Sequence, residues 1–557
     1  MKSMCVAVEE MEGDVRIYGS GSPGGKGEGL IRINRLTLPK VRRLATRILS
    51  AEFYELFLKD AEAFRASARA VVRSILKEFG EIPIGVRSSA TNESGRKSGK
   101  ADSVHAGENA TFMLPNNHPD PEVRLSQAVL AVAHIYEDFR RKQPPGSQEK
   151  MGIVLNPVPG IFDDTMAGPV YYPYISGVAS SFFPHALKNQ NPWEGFARIA
   201  FGHGYAAVLD DFPVISMATI RNPIPIDLLR IGKGQEYFYA LDMTRNAELK
   251  GEELETMKKL HVRFANFHKI RMLGIQHNLI TIEELVQKDH FAFRTNLVEI
   301  METISRRIAR HFQIEFVFNV DFSRKSDRES AFHIVQLTEL PELDYHALSA
   351  PGNIRRNYLD ISNSQGHGIA ANIERAVAVS PFLYSPEKQA VVRERISRIN
   401  SDMRKRGERY ILIVPGRLGS KNPEWGIFVD YRDVDQAAAI FEYGVDVAGR
   451  SEPLPEEGSL TGGIYGSHFL YVLQGGFDED QKKLATRMYG TQGTHFLTNL
   501  MGHNVFYGYV TPQQDAFDPW FFSSPDPETG ISILKFPEPV SVYADSLNQR
   551  CRVVSEK

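Results

Sequence analysis

The feature that most constrains the fold is a change of hydrophobic period in the second half of the chain. Residues 313–322 read QIEFVFNVDF, in which apolar residues alternate with polar ones such as Glu315 and Asn319. A period of two gives a β-strand one apolar and one polar face. After a polar loop, AFHIVQLTEL has the character of a second strand, with Gln336 and Thr338 on one side. The two segments predict an antiparallel hairpin.

The polar face of this hairpin holds candidate metal ligands. If the face lines a cleft, Glu315, Asn319 and Gln336 converge there. Carboxylate and amide oxygens are ligands that Mg²⁺ accompanied by a nucleotide can use. The alternative is a polar face that is simply solvated, which is the commoner arrangement for a lone hairpin.

Length and composition limit the class of protein. A chain of 557 residues has room for three or four domains. Its two cysteines, Cys5 and Cys551, exclude a disulfide framework and a cysteine-rich zinc site, and they predict free thiols in a reducing compartment. A net charge of −3 argues against nucleic acid as a partner. The N-terminal segment MKSMCVAVEEMEGD has too short an apolar run and is too acidic to be expected to act as a signal peptide, and no apolar stretch approaches about 18 residues. We therefore expect a cytoplasmic protein that does not enter a membrane.

Three further stretches carry secondary-structure signals. Residues 48–79 have a helical pattern without proline or glycine, and residues 225–295 are also interpreted mostly as helix. Residues 388–407 form a charged helical pattern that leads into RYILIVPG, an apolar run ending in Pro-Gly. That succession predicts an α/β unit near the C-terminus.

Two motifs near the N-terminus carry groups suited to phosphate. The segment GSGSPGGKGEGL contains Lys26 among glycines, which allow close backbone approach to a phosphate. It is not a Walker A loop, because Gly27 follows the lysine in place of Ser or Thr. The segment IPIGVRSSATNES presents Arg87 and Ser88 after a short strand, and arginine is a forked donor for phosphate oxygens. Taken alone, each motif is more often a plain turn or surface loop.

In combination these motifs resemble a known family. Six segments occur in its order over roughly 310 residues; they read GGKGEGL, VRSSATNE, HAGENATF, YPYISGVASSFFP, RIAFGHGYAAVLD and EFVFNV with HIVQ. The series resembles the nucleotide-binding (PEP/pyruvate-binding) domain of phosphoenolpyruvate synthase and pyruvate phosphate dikinase. In that family the domain is an ATP-grasp variant that uses ATP and Mg²⁺.

The resemblance implies roles for individual residues. Those that would contact ATP are Lys26, Arg87, Ser88, Arg140 and Gln336. Glu315 and Gln336 would ligate Mg²⁺, and Lys26 and Arg87 would also act in catalysis.

The fold class expected is α/β (α+β). Residues 1–115 would form the first lobe of an ATP-grasp-like unit, and residues 116–345 a second lobe with a helical insert. Residues 346–557 would form a smaller α/β module; its segments SQGHGIAANIERAVAVSP, RYILIVPGRLGSKNPEWGIFVDY and GTQGTHFLTNL resemble a branch of synthase-like proteins whose module has no assigned role.

The sequence departs from the family pattern in three places. Thr338 stands where the family strand has an arginine, and the segment LNPVPG puts Asn156 and Pro157 where the family has I-Q-x-x-V. No counterpart of the swivelling phosphohistidine domain is recognisable. A complete dikinase cycle to pyruvate is therefore not expected.

Two histidines of the C-terminal module are candidate phosphoryl acceptors. His468 lies in GGIYGSHF and His495 in GTQGTHF, and of these His495 is the candidate catalytic residue. A helix N-terminus that follows such a histidine would stabilise the negative charge of a phosphoryl group on it. Arg417 could also pair with that charge. Packed or capping histidines are the alternative.

The leading hypothesis is an ATP-dependent phosphotransferase with an unidentified small-molecule or protein acceptor. A non-catalytic ATP-binding sensor is the second hypothesis, motivated by Thr338. An ATP-grasp ligase that forms an acyl phosphate is the third. Association into a homo-oligomer is left open.

Overall fold

The computed structural model describes most of the chain. The described residues are 8–91, 110–143, 147–182, 192–205, 215–217, 235–244, 254, 256–276, 278–323, 329–340, 352–362, 364–365, 368–416, 418, 426–429, 433–443, 506–510, 515–545, 548 and 550–556. Their helices and strands form a mixed α/β structure with several sheets, as the sequence predicts. Within these residues, no helix combines the length and apolar character needed to cross a membrane.

The regular elements are numbered along the chain. The α-helices of the described residues are α1 Gly24–Asn34, α2 Ala51–Lys59, α3 Ala61–Phe79, α4 Pro121–Lys142, α5 Phe267–Ile270, α6 Glu283–Gln287, α7 Phe293–Ser305 and α8 Gln389–Arg406. The strands are β1 Val8–Glu12, β2 Val15–Tyr18, β3 Thr46–Leu49, β4 Ile84–Ala90, β5 Thr111–Leu114, β6 Met151–Pro157, β7 Ile161–Thr165, β8 Gly168–Tyr172, β9 Ile175–Ser180, β10 Phe196–Phe201, β11 Ile215–Met217, β12 Tyr237–Asp242, β13 Met257–His261, β14 Ile275–Gln276, β15 Leu279–Ile280, β16 Phe312–Val320, β17 Ser330–Glu339, β18 Ile354–Ile361, β19 Ser364–Gln365, β20 Gly368–Val379, β21 Tyr410–Pro415, β22 Ala437–Tyr443, β23 Phe506–Val510, β24 Ala516–Phe517, β25 Ile531–Asp545 and β26 Arg550–Glu556.

The first sheet has the strand order β1-β2-β3-β6-β4-β5. One of its faces is covered by α2, α3 and α4, whose apolar side chains pack with those of β4 and β6. The predicted helix over residues 48–79 is in fact two helices preceded by the end of β3. The break falls at Asp60, whose side chain accepts hydrogen bonds from the backbone N–H groups of Glu62 and Ala63 and so caps α3.

Helix α1 covers the opposite face of the first sheet. Leu30 packs there with Ile48 of β3 and Val154 of β6. The helix begins at Gly24, which has a φ of +72°, and a Cβ at this position would lie 1.8 Å from the carbonyl oxygen of Ser89. Only glycine allows α1 to begin this close to β4.

The second sheet has the strand order β11-β10-β9-β16-β17 and contains the predicted hairpin. Strands β16 and β17 pair antiparallel, with Glu315 opposite Gln336, so the hairpin prediction is confirmed. The apolar face of the hairpin packs on α7: the rings of Phe293 and Phe332 stack with centroids 5.4 Å apart, and Phe318 lies 4.8 Å from Phe332. The polar face is thereby left on the other side of the sheet.

The interpretation of residues 225–295 as mostly helix is wrong for the described residues of that stretch. They include β12 and β13, which pair with each other, and β12 also pairs with β8 in a four-stranded sheet. The helices there are short. In YFYALD the alternate residues Phe238 and Ala240 are buried, whereas Tyr237 and Tyr239 are partly exposed. This period of two, reinforced by pairing with distant strands, outweighs local helix propensity.

The C-terminal module is built on a nine-stranded sheet with the order β19-β23-β22-β21-β20-β25-β26-β18-β24. Strands β20 to β23 run parallel to their neighbours in this group, and α8 joins β20 to β21 and covers one face. Helix α8 and strand β21 confirm the α/β unit predicted from residues 388–415. The module also buries Cys551 as a free thiol, while Cys5 lies outside the described residues.

The first sheet extends further along the chain than the limit at residue 115 expected from the sequence. Strand β6 lies between β3 and β4, and α4 packs on the same sheet, although both elements come from residues 116–345. Long-range strand pairing decides this assignment, and no local pattern in the sequence marks it.

Helix α1 also ties the first sheet to the hairpin of the second. A Cβ on Gly29 would lie 2.1 Å from the carbonyl oxygen of Leu337 in β17. After α1 the chain runs along β17, where the backbone N–H of Arg42 donates to the carbonyl of Phe332 at 2.8 Å and the N–H of Phe332 donates to that of Lys40 at 3.0 Å. Helix α1 and the residues after it are therefore in direct backbone contact with β17 of the second sheet.

We expect Gly29→Ala to weaken this contact. The added methyl group must push α1 away from β17, because a backbone carbonyl cannot move aside as a flexible side chain would. Overpacking of this kind costs about 1–3 kcal/mol of unfolding free energy, measurable by urea denaturation. Gly352→Ala is the matched control, since a Cβ there has no atom within 4 Å. Equal stability of the two variants would show that α1 does not pack on β17 at this distance.

Candidate functional site

The polar face of the second sheet carries one transverse row of side chains. Glu315 of β16 is paired with Gln336 of β17 on one side and with Val178 of β9 on the other. Val178 is in turn paired with Arg198 of β10. Residues paired across antiparallel strands project from the same face of a sheet. The four paired residues, Gln336, Glu315, Val178 and Arg198, are called the polar row below, since three of them have polar side chains.

A β-bulge lies within the polar row. Glu315 pairs with Gln336, whereas the next residue, Phe316, pairs with Ile334, so Val335 is the extra residue of β17. A bulge redirects side chains and is often found beside a functional site. Here it keeps Gln336 opposite Glu315 and Ile334 on the apolar face.

The side chain of Arg87, which belongs to the first sheet, is hydrogen-bonded to two residues of the polar row in the second sheet. Its Nη2 donates to Oε2 of Glu315 at 2.7 Å and to Oε1 of Gln336 at 3.0 Å. Its Nη1 donates to the carbonyl oxygen of Val335, the bulged residue, at 2.5 Å. The side chains of Arg87 and Glu315 are only 11% and 29% exposed, so this is a partly buried, charge-assisted contact between lobes.

Thr338 fixes the orientation of the Gln336 amide. Nε2 of Gln336 donates to Oγ1 of Thr338 at 3.1 Å, which leaves Oε1 to accept from Arg87. An amide held in this way presents its oxygen, and not its nitrogen, toward Glu315 and Arg87. Thr338 thus supports the candidate metal ligand Gln336 beside it.

The donor atoms of the polar row fit a magnesium ion. Oε2 of Glu315 and Oε1 of Gln336 are hard oxygen ligands on directly paired residues, and Mg²⁺ takes one or two protein ligands with water and phosphate oxygens for the rest. The same two oxygens accept hydrogen bonds from Arg87, so a cation there would replace Nη2. Among the described residues, no group of three or more His, Cys, Asp or Glu side chains could hold a metal, which leaves this smaller ligand set.

Lys26 lies on the face of α1 that contacts β17. It precedes Gly29 by three residues, and positions three apart share a helix face. Gly29 meets Leu337, and one turn later Arg32 pairs with Glu339. Lys26 lies one turn before Gly29, in the direction opposite to Arg32.

His203 is a buried neighbour of Arg87. Burial, and the positive charge of Arg87 as a smaller cause, lower the pKa of His203 to about 4. Its backbone N–H donates to the carbonyl of Tyr239 at 2.8 Å, and its ring packs edge-on against Tyr205 with centroids 4.9 Å apart. His203 is therefore neutral at physiological pH and adds no charge to the site.

Two of the residues predicted to contact ATP, Ser88 and Arg140, do not bring their side chains to those of Arg87, Glu315 and Gln336. Ser88 is 1% exposed and alternates with Arg87 along β4, so it faces α3 and α4 on the far side of the sheet. Arg140 lies near the end of α4 on that same side and pairs with Glu137 at 2.7 Å, with its side chain 57% exposed. Asn319 shares the face of Glu315, but its Oδ1 accepts from the backbone N–H of Tyr174 at 2.9 Å.

The glycine-rich turn before α1 uses several of its donors internally. The backbone N–H of Ser20 donates to Oε2 of Glu52 at 2.6 Å, and that of Gly21 donates to Oγ of Ser50 at 3.1 Å. A phosphate bound by these two amides would have to displace the Glu52 carboxylate. The glycines of the segment serve close packing instead, as at the start of α1.

The candidate phosphoryl acceptors cannot be placed relative to this site. His468, His495 and Arg417 lie outside the described residues.

Two residues near the site, Arg198 and Ser89, have no role predicted from the sequence. Arg198 is the one charged residue of the strand FARIAF, and alternation with Ala197 and Ile199 would have assigned it to a polar face. Ser89 accepts from the backbone N–H of Gly27 at 3.1 Å through Oγ and donates to the carbonyl of Pro23 at 2.8 Å. The only sequence signal that distinguishes Ser89 from Ser88 is strand alternation, which places successive residues on opposite faces of the sheet.

Comparison with known proteins adds no further assignment, because neither a protein-family model nor a curated protein sequence matches the chain. The resemblance therefore depends on the six ordered segments of the sequence alone.

We expect Arg87→Met to strengthen binding of a divalent cation in the absence of nucleotide. The substitution frees Oε2 of Glu315 and Oε1 of Gln336 from a competing cation. The affinity for Mn²⁺, measured by electron paramagnetic resonance, should rise about tenfold, since a hydrogen bond to a charged group is worth about 1.5–3 kcal/mol. The surface change Arg65→Met serves as control. Unchanged or weaker Mn²⁺ binding would show that the two oxygens are not a cation site.

We expect His203 to make stability depend on pH. Its pKa of about 4 in the folded chain lies below the unfolded value of about 6.5, so the unfolded chain takes up the proton first as pH falls. Stability is complete above pH 6.5 and declines toward pH 4. Between pH 7 and pH 4.5 the loss should be about 2 kcal/mol. In His203→Gln this share of the decline should disappear from urea unfolding curves; an identical decline would rule out the depressed pKa.

Proposed function

We propose that the chain is an ATP- and Mg²⁺-dependent phosphotransferase, with its first two sheets forming an ATP-grasp-like pair of lobes similar to the nucleotide-binding domain of phosphoenolpyruvate synthase. One observation carries the proposal. A permanent cation of one lobe, Arg87, is hydrogen-bonded to an oxygen pair of the other lobe, Glu315 and Gln336. A nucleotide with its metal ion needs these two kinds of group facing each other.

The residues would exchange partners when nucleotide enters. Arg87 would pass its donors from Glu315 and Gln336 to phosphate oxygens, for which its forked geometry is suited. The two oxygens would then be free to ligate Mg²⁺, which when bound neutralises phosphate charge. Lys26, one helical turn from the Gly29 contact, would add a second positive charge on the same side.

The transfer itself would be a displacement at phosphorus. A bond forms between a β- or γ-phosphorus of ATP and the acceptor atom, and the bond from that phosphorus to its bridging oxygen breaks. The electron pair of the broken bond stays with the departing nucleotide, and the acceptor loses its proton to solvent or a base. The acceptor is either a small molecule or a side chain such as that of His495.

A sensor that binds ATP without turnover is the second candidate, and one observation favours it. Thr338 is uncharged and is engaged with Gln336, so position 338 supplies no cation to stabilise charge on a moving phosphoryl group. In such a protein, nucleotide binding would change the closure of the lobes and be read by the C-terminal module.

Glu315→Gln tests the leading proposal. The amide keeps an oxygen acceptor for Arg87 but removes the charge that holds the metal ion. We expect the rate of ATP turnover to fall at least about a hundredfold, since metal assistance is worth several kcal/mol. Glu299→Gln on the exposed side of α7 is the control. Equal turnover in wild type and Glu315→Gln would refute the assignment.

Incubation with ATP labelled in the β or γ position separates the alternatives. Acid-labile, base-stable label on the protein indicates phosphohistidine, and AMP with free phosphate indicates chemistry like that of a dikinase. ADP that accumulates only with an added acid and amine indicates a ligase. Binding of ATP without any product over hours indicates the sensor.

A further inference from the structure

A small pocket lies where α1 ends and the chain passes on to β3. Its volume is about 290 Å³, which is at the small end of the range for sites that hold a small molecule. Much of its wall is apolar and comes from α1, from the segment after α1 and from β17; the side chains include Leu30, Ile33, Leu36, Leu38, Val41 and Ile334. Such a wall suits the apolar part of a small ligand.

Asn34, the last residue of α1, adds an unused hydrogen-bond acceptor to this pocket. The residue lines the pocket and is only 8% exposed. Its Nδ2 donates to the carbonyl oxygen of Leu30 at 3.0 Å, which fixes the orientation of the amide. Its Oδ1 is buried and accepts no hydrogen bond. A buried acceptor without a donor lowers stability, so a ligand that brings a donor to Asn34 would remove that cost.

Arg43 places a positive charge beside this oxygen. A Cβ on Gly13 would lie 3.3 Å from Nη1 of Arg43 and 3.9 Å from Oδ1 of Asn34, so both groups lie against the same turn between β1 and β2. Arg42 is paired with Glu329 at 2.8 Å, whereas Arg43 makes no ion pair or hydrogen bond within the described residues. An exposed guanidinium group at the edge of an apolar pocket is suited to a carboxylate.

The apolar wall, the acceptor and the cation together select one class of ligand. An α-amino acid carries an ammonium group, a carboxylate and a side chain on a single carbon atom. We propose that this pocket binds an α-amino acid with an apolar side chain. The ammonium group donates to Oδ1 of Asn34, the carboxylate pairs with Arg43, and the side chain rests on the apolar wall.

This pocket is separate from the candidate nucleotide site. Asn34 follows Lys26 by eight residues of α1, which is about 12 Å along the helix. The amino acid would therefore bind without displacing a nucleotide from Lys26. The inference goes beyond the proposed function and does not depend on it, because binding in this pocket requires neither ATP nor Mg²⁺.

Calorimetry of the full chain with three probes of one carbon skeleton tests the inference. The probes are L-leucine, 4-methylpentanoate, which lacks the amine, and 3-methylbutylamine, which lacks the carboxylate. Wild type should bind L-leucine about tenfold to a hundredfold more tightly than either truncated probe, since each of these loses one charge-assisted hydrogen bond. This comparison needs no variant, so misfolding cannot imitate it.

Two variants assign each group of the ligand to its partner in the protein. In Arg43→Met, L-leucine should lose its advantage over 3-methylbutylamine. In Asn34→Leu, it should lose its advantage over 4-methylpentanoate. Arg65→Met, at an exposed position of α3, is the control and should bind all three probes as wild type does.

The outcomes separate this inference from the proposed function. Wild type that shows no saturable binding of L-leucine overturns the inference, and so does an unchanged preference for L-leucine in both variants. Glu315→Gln should bind L-leucine as wild type does, because the two sites are separate. A chain that binds L-leucine but no ATP overturns the proposed function alone, and a chain that binds ATP but no L-leucine overturns this inference alone.

Discussion

The contact on which the site depends is the one from Arg87 to the hairpin. A single guanidinium group of the first sheet reaches a carboxylate, an amide oxygen and the carbonyl of the bulged residue Val335 in the second. Because the pair Arg87–Glu315 is largely shielded from water, losing one member would leave the other poorly compensated. The contact therefore joins the two sheets and brings a positive and a negative charge together between them.

This arrangement is suited to exchange of partners. Arg87 donates to three acceptor oxygens, those of Glu315, Gln336 and Val335. Under the proposed function, phosphate oxygens would replace the first two of them. The packing of α1 on β17 through Gly29 is made by backbone and cannot be exchanged in the same way. The backbone contact between α1 and β17 is therefore the fixed part of this region, whereas the contact of Arg87 is made by a side chain.

The hairpin and the C-terminal α/β unit could be predicted because each has a local signal. Alternation in QIEFVFNVDF fixes which residues share a face, and the register then brings Glu315 opposite Gln336. The helix prediction for residues 225–295 failed because the strands there are stabilised by distant partners such as β8. The predicted ATP contact Ser88 and its neighbour Ser89 lie on opposite faces of the first sheet, because successive residues of β4 alternate between its faces.

The sequence by itself determined the mixed α/β class and the polar face of the hairpin, and it predicts that Lys26, Arg87, Glu315 and Gln336 bind phosphate and a cation. Only the tertiary structure decided that Arg87 meets the other lobe directly. The tertiary structure also places Arg198 on the same sheet face as Glu315 and places Arg140 away from that face, on α4. The physical reason is that charge and periodicity are local properties of a chain, whereas strand order, bulge position and interlobe packing depend on pairings between segments far apart in sequence.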